Sequence, residues 1–477
     1  MKNYDNTSGE AILRAAYDAW NACAPLRSSR ERNKRFTYGD QWSDVTLDRH
    51  GRAVTDYQRY CLGNDTPITN NLLRQLVKTV VGRFRAQYLH PATQDADGGS
   101  VLGADTAVSD IDELDARALE EFLISGCCVQ RIDYRADGLE RRPQVSNVDL
   151  NNFFVNRFRD PLGRDIELIG QIHQLPVAEL LQRTADGDRR RAAWIRRLYT
   201  ESPDARTAAF TAAIGADTAA ASAFWYSATD KCRAIEVWTL ESRETLVCHN
   251  KRTATVTYEP LARGRQLRND PDVDLRWDIV TQWHCRWFTP MGDLLCHRQS
   301  PYHHGAHPYA VRFYPLTDGE VHAFIEDVID QQKYVNRLIT LIDHIMQASA
   351  KGVLLFPDTS LPDGFSWDDI RSIWSNSNGI LPYSPLAGVD QPKQISHNNT
   401  DIGAFDMIQL QMKLLEEISG VSGALQGKNI NTGGSVNLYR NEVINAAIAL
   451  TDVFDTFNAW RGHRDTLLRQ LCRQSGN

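Results

Sequence analysis

The segment Gly423-Ala424-Leu425-Gln426-Gly427-Lys428-Asn429 comes closest in this chain to a motif with chemistry of its own. A phosphate-binding loop needs four residues between its glycines and a Ser or Thr after the lysine, so that backbone N–H groups wrap the phosphates and a hydroxyl meets Mg²⁺. Here three residues separate Gly423 from Gly427, Asn429 follows the lysine, and no strand is expected before the loop. Gly420-Val421-Ser422-Gly423-Ala424 misses a nucleophile elbow, which requires glycine where Ala424 stands. His303, His304 and His307, with Cys285, Cys296 and His297 nearby, form a group to weigh as metal ligands. Pro301, Gly305 and Pro308 interrupt that stretch, so no helix can hold the imidazoles on one face, and a polar loop before a strand is the better reading. Glu416-Glu417 and Asp368-Asp369 are sequence neighbours whose side chains point apart and read as solvated faces. No catalytic residue, cofactor site or metal site emerges.

Composition narrows the remaining classes. At 477 residues, with 42% hydrophobic and 24% charged side chains, the chain predicts two to four folded units and not a disordered tail. Its longest apolar runs, such as Ala446–Leu450, are too short to span a bilayer, and the start Met1-Lys2-Asn3-Tyr4-Asp5 lacks a secretory apolar stretch. These features predict a protein without membrane partners that is assembled in the cytoplasm. The nine cysteines, with no C-x-x-C pair, fit reduced thiols. The net charge of −7 argues against a tight nucleic-acid grip, which draws most of its affinity from cationic neutralisation of phosphates. Either DNA is no partner or it must slide past.

The elements expected around these residues are of mixed type. Residues 9–35 carry Ile12, Leu13, Ala16, Trp20 and Cys23 at helical spacing, and Leu72, Leu73, Leu76, Val77, Val80 and Val81 line another amphipathic helix. A helix over 111–125 follows a Gly/Asp-rich loop. Strands are predicted at Val129–Tyr134, Phe153–Asn156 and Leu168–His173, with a helical stretch over 184–231. From 235 to 313 the pattern is β: Ile235–Leu240 and Thr245–His249 around a polar turn, then Trp283–Phe288 and Leu294–His297 around Pro290-Met291-Gly292-Asp293. From Val321 to Lys351 no Gly or Pro interrupts an apolar helical pattern, which predicts a helix of about 29 residues and on the order of 43 Å. A proline- and glycine-rich α/β unit follows, then a helix over 402–419, a polar segment from Gly420 to Gly434, and a long terminal helix that Gly462 could kink. A helix of the length predicted from Val321 needs packing along most of its surface, which copies arranged around an axis would supply.

Several segments resemble tailed-phage portal proteins. His307-Pro308-Tyr309, Tyr314-Pro315, Asp318-Gly319-Glu320 and the run Phe324-Ile325-Glu326-Asp327-Val328-Ile329-Asp330-Gln331-Gln332-Lys333-Tyr334-Val335-Asn336 resemble the entry into that family's first stem helix. Ile418-Ser419-Gly420-Val421-Ser422-Gly423-Ala424-Leu425-Gln426-Gly427, followed by Thr432-Gly433-Gly434, resembles the passage from the second stem helix to the tunnel loop. Tyr38-Gly39-Asp40-Gln41-Trp42 and Asn70-Asn71-Leu72-Leu73-Arg74 are also similar to the family. The motifs keep the family's order, with residues 180–280 unmatched.

The resemblance implies an α+β portal-type fold. Residues 1–320 would form the wing, α/β with a β-rich second half. Residues 321–350 and 402–419 would be stem helices flanking a small α/β clip at 351–401. Residues 420–435 would be the tunnel loop, and 436–477 a tunnel-wall helix with a short crown. It also implies a homo-oligomeric ring of about twelve copies at one capsid vertex of the virion. Double-stranded DNA would pass through that ring during packaging and ejection. The terminase large subunit, head-completion or adaptor proteins, and the major capsid and scaffolding proteins would be its partners. Within this frame Gln426, Lys428, Asn429, Asn431 and Thr432 are expected to face the lumen, with Lys428 the cation that meets a phosphate. Val328, Val335, Leu338, Ile342, Phe405, Met412 and Leu415 are expected to pack the stem. The competing readings are a head–tail adaptor, usually a shorter chain, and a nucleotide-dependent packaging motor, which would need the phosphate loop that the sequence lacks.

Overall fold

A computed structural model describes residues 8–60, 67–86, 107–137, 140–201, 203–215, 222–226, 231–268, 270, 272–351, 353–375, 380–385, 388, 390–395, 403–421 and 448–475. The chain mixes helices with antiparallel sheets and divides into two compact units, residues 1–38, 74–327 and 420–477 in one and 39–73 with 328–419 in the other.

The first unit is built on two sheets. Helices α1 (Gly9–Ala22) and α2 (Ala24–Tyr38) lead it, where the sequence predicts one helix over 9–35. The Ser8 side chain caps α1 by accepting from Ala11 N at 3.3 Å. Helix α3 (Leu72–Phe84) belongs to this unit from Arg74 onward, and α4 (Ala107–Ser125) follows. Strands β1 (Cys127–Asp137) and β2 (Glu140–Asn147) form a hairpin that β9 (Tyr309–Phe313) completes, in the order β9-β1-β2.

The larger sheet runs β8-β7-β5-β4-β3, from β3 (Phe153–Val155) and β4 (Leu168–Leu175) through β5 (Cys232–Asn250) and β7 (Val273–Phe288) to β8 (Leu294–Gln299). A further strand, β6 (Thr255–Pro260), pairs with the far half of β5. Helix α5 (Val177–Thr184) precedes the region 184–231 predicted as helical, within which α6 (Arg189–Thr200) and α7 (Pro203–Ala213) form. One expectation fails here. Residues 241–244 form no turn but continue β5, paired with β7 from Gln282 to Ile279. The charged run Glu241-Ser242-Arg243-Glu244 mimics a turn because this stretch of the sheet has polar groups on both faces.

Helix α1 supplies Ile12, Leu13, Ala16, Tyr17 and Trp20 to one core with Phe154, Leu168, Ile172, Phe224, Trp225, Ile235, Val237 and Phe288. Each such side chain contributes roughly 1.5–3 kcal/mol by leaving water. Gly170 is required in this layer, since a Cβ there would meet the Glu236 carbonyl at 2.1 Å and the Phe154 ring at 2.4 Å.

The second unit is built around helices. Helix α8 (Ile329–Lys351) has 23 residues, about 34 Å at 1.5 Å per residue. It starts later than predicted, because Glu320 and Val321 pair with 315–317 and Phe324–Val328 forms a tight 3₁₀ turn. Strand β10 (Val353–Leu355), helix α9 (Trp367–Ser375) and strand β11 (Lys393–Ile395), which pairs with β10, make up the small α/β unit. Helix α10 (Ala404–Ser419) then returns to pack on α8.

The terminal helix α11 (Thr451–Ser475) belongs to the first unit and runs unbroken through Gly462. It lies on β1, β2 and β9, with Phe454, Phe457, Trp460, Leu467, Leu468 and Leu471 buried. The stretch expected to begin this helix at Ser435 lies outside the described residues.

Candidate functional site

Three of the sequence motifs come together at the foot of α8. Gln332 Oε1 accepts from the backbone N–H groups of Leu72 (2.9 Å) and Leu73 (3.3 Å), while its amide donates to the Asn70 carbonyl at 2.6 Å. One turn on, Asn336 accepts from Asn70 N (3.1 Å) and from Gln332 (3.1 Å) and donates to Gln41 Oε1 at 2.5 Å. Gln41 in turn donates to Asn71 Oδ1 at 3.2 Å, and the Trp42 indole to Thr69 at 3.0 Å. Gln332 and Asn336 are almost fully buried, so these bonds satisfy amides that would otherwise be costly inside the protein. The N-terminus of α3, whose leading N–H groups have no partner within the helix, is thereby capped by a side chain from a distant helix.

Charges tighten the same socket. Lys333 pairs with Asp44 and, at 3.3 Å, with Asp56, which Arg337 also meets at 3.3 Å. The Arg337 guanidinium lies 4.0 Å from the Tyr60 ring centre. A neighbouring cleft of about 520 Å³ is lined by Thr46, Asp330, Gln331, Lys333, Tyr334, Arg337 and Gln411. Its lysine and arginine are already matched by Asp44 and Asp56, so the cleft has the character of a joint and not of a cofactor pocket.

Above the socket the helix pair changes character. Val328, Val335 and Leu415 are buried, and Leu338 and Ile342 half-buried. Phe405 is 66% exposed and Met412 41%. Met407, Leu410 and Ile418 on α10 are exposed as well, as are Leu341 and Met346 on α8. Helix α10 thus exposes apolar side chains beside a polar stripe of Asp406, Gln409, Lys413 and Glu417, while Ile408, Gln411, Leu414, Leu415 and Ser419 line its inner face. Several large apolar side chains left exposed on one helix mark a candidate interaction surface.

Gln426, Lys428, Asn429, Asn431 and Thr432, expected to face the lumen, lie outside the described residues. The histidine group falls into separate places. The His303 backbone N–H is hydrogen-bonded to Gln474, His304 stacks on Tyr302 with ring centres 5.1 Å apart, and His307 meets Trp283 edge-on at 4.7 Å. Burial pushes the His307 imidazole down to about 3, helped by His304, and His304 down to about 4, helped by His463. Among the described residues the grouping with metal-ligand spacing is instead Glu241, His284 and His297. No helix among them is long and apolar enough to cross a membrane.

The sequence shows the segments at 38–42, 70–74 and 324–336 but not the bonds that join them. Their polar residues sat unexplained beside apolar ones, which was the available signal.

Compared with known proteins, the chain matches the family model of phage P22-like portal proteins over residues 13–474. A search of curated proteins returned no match. The family is structural in role and serves as the capsid's channel for DNA packaging. With nearly the whole length matched, this chain belongs to the phage P22-like portal protein family.

Proposed function

We propose that copies of this chain close into a ring of about twelve in which α8 and α10 form the stem wall. The observation that carries this reading is the apolar surface of α10, with Phe405, Leu410, Met412 and Ile418 in the open. Identical neighbours arranged head to tail would cover that surface through one repeated heterologous contact. Residues 351–401 then act as the clip on which the terminase large subunit docks, followed by head-completion proteins. Residues 1–320 take the wing position facing the major capsid and scaffolding proteins. Residues 420–435 line the constriction, where Gln426, Lys428, Asn429, Asn431 and Thr432 offer one cation and several neutral polar groups per copy. Weak, repeated contacts of this kind let a polyanion slide without a deep binding minimum, in keeping with the net charge of −7. Residues 436–477 are assigned to the tunnel wall and a short crown.

Electron-microscope images of the purified protein test the assembly, with a ring wide at one end and a central hole as the expected particle. Compact monomers at every concentration, and no ring at the vertex of capsids made with this chain, would overturn it. The lumen is tested separately by deleting Gly427–Gly434: rings should persist while packaging or DNA retention drops, and normal packaging contradicts the assignment.

A further inference from the structure

Three adjacent strands of the larger sheet place Glu241, His284 and His297 on one face, beyond the end of the apolar core. In register, His284 of β7 stands opposite Thr239 of β5 and Gln299 of β8, which makes Glu241 and His297 its diagonal neighbours on either side. Diagonal neighbours on one face of a sheet are within reach of long side chains. His284 Nδ1 and His297 Nε2 lie 3.1 Å apart. Two nitrogens on one tetrahedral zinc ion, each about 2.05 Å away, would be separated by about 3.3 Å. The third group is nearby: one ligand atom from each of the three residues lies within 4.8 Å of the other two.

The rest of the arrangement holds the carboxylate ready. Glu241 is buried, and its Oε1 is held by Arg286 and by the Thr239 hydroxyl at 2.8 Å, which leaves Oε2 as the oxygen directed to the histidines. Such bonds to a carboxylate ligand fix its orientation. His297 is exposed on the outer strand and gives an ion a way in from solvent. The Arg286 charge lowers affinity for any cation, though its pairing with Glu241 offsets most of it. We propose that Glu241, His284 and His297 bind one borderline divalent transition-metal ion of the zinc type, with water completing its coordination. The ion clips edge strand β8 to the centre of the sheet, next to the irregular pairing between Leu294 and Cys296.

The test is zinc titration of the full-length, tag-free, chelator-treated protein, followed by calorimetry and thermal melting. The wild type should take up one equivalent that His284→Asn and His297→Asn each weaken at least tenfold, and zinc should raise the melting temperature only where the site is intact. His297→Asn is the guard against misfolding, because this exposed residue should leave metal-free melting unchanged. Asn substitution at His303 and His304 should leave uptake unaltered. Equal zinc uptake by wild type and the His284→Asn/His297→Asn double variant overturns the proposal and leaves only an imidazole–imidazole hydrogen bond. Unchanged affinity in Glu241→Gln overturns the three-ligand site.

Discussion

The two units of this chain differ in what they leave uncovered. In the first, a cluster of charged side chains is buried and paired. Glu236 accepts from His173 (2.7 Å), Tyr309 (3.1 Å), Trp238 (2.8 Å) and Arg131, tying β5 and β4 to β1 and β9. Asp133 extends the network through Arg131 (2.7 Å) and Tyr302 (2.8 Å). The second unit also buries a matched group, Lys333 with Asp44 and Asp56, but in addition it leaves Phe405, Leu410, Met412 and Ile418 of α10 exposed. The lesson is one of completeness. A buried, paired ion network needs nothing outside its unit, whereas the exposed apolar side chains of α10 are the surface that the proposed ring would cover.

That contrast can be broken by mutation, and the effect on the isolated protomer should shrink from the network outward. Glu236→Ala leaves Arg131 buried without its main partner and should cost about 3–5 kcal/mol in chemical denaturation. A cost under about 1 kcal/mol would show that the network is not what joins the two sheets. Arg464→Met in α11, which strips Asp115 of bonds at 2.5 and 3.0 Å, should cost about 3 kcal/mol, since Asp115 keeps Arg461 at 2.7 Å. In the socket of α8, Gln332→Leu takes the acceptor from the Leu73 N–H, while the Leu72 N–H keeps the Asn70 carbonyl at 3.0 Å, and should cost about 1–3 kcal/mol.

Acid should also separate the units. Burial alone would raise the Glu236 carboxyl, but Arg131 and His173 outweigh it and hold it well below its usual value. Its stabilising contribution is therefore complete above the ordinary carboxylate range and is lost as pH falls below it. His307, pushed down to about 3, acts in the same direction. The unfolded chain takes up a proton near pH 6.5 that the folded imidazole resists, so stability declines as pH falls from there toward 3. His307→Gln should flatten that part of the profile in denaturation followed at several pH values.

Much of this contrast was readable in the sequence, though not its joints. Amphipathic spacing located α3, α8 and α10, because a helix repeats its apolar face every three to four residues whatever it packs against. The start of α8 was placed early because Phe324, Ile325 and Val328 continue the apolar rhythm through a 3₁₀ turn, and the absence of Gly and Pro does not distinguish the two helices. The socket could not be read because its partners are far apart in the chain, Gln41 from Asn336 by 295 positions. Long-range pairs of neutral amides leave no local pattern. Likewise His297 was grouped with His303 and His307, near in sequence, while the sheet register sets it beside His284 and Glu241.

The smallest effect expected on the protomer is the most telling for assembly. Phe405→Ser and Met412→Ser remove exposed side chains and should change protomer stability by no more than about 0.5 kcal/mol, yet should prevent ring formation seen by native mass measurement. The most direct test places a thiol on that surface. Met412→Cys should react with a maleimide rapidly in the monomer and many times more slowly once the ring has formed, relative to the parent protein with its native cysteines. Equal reactivity in monomer and ring would mean that no neighbour covers α10, and would contradict its role as a stem wall.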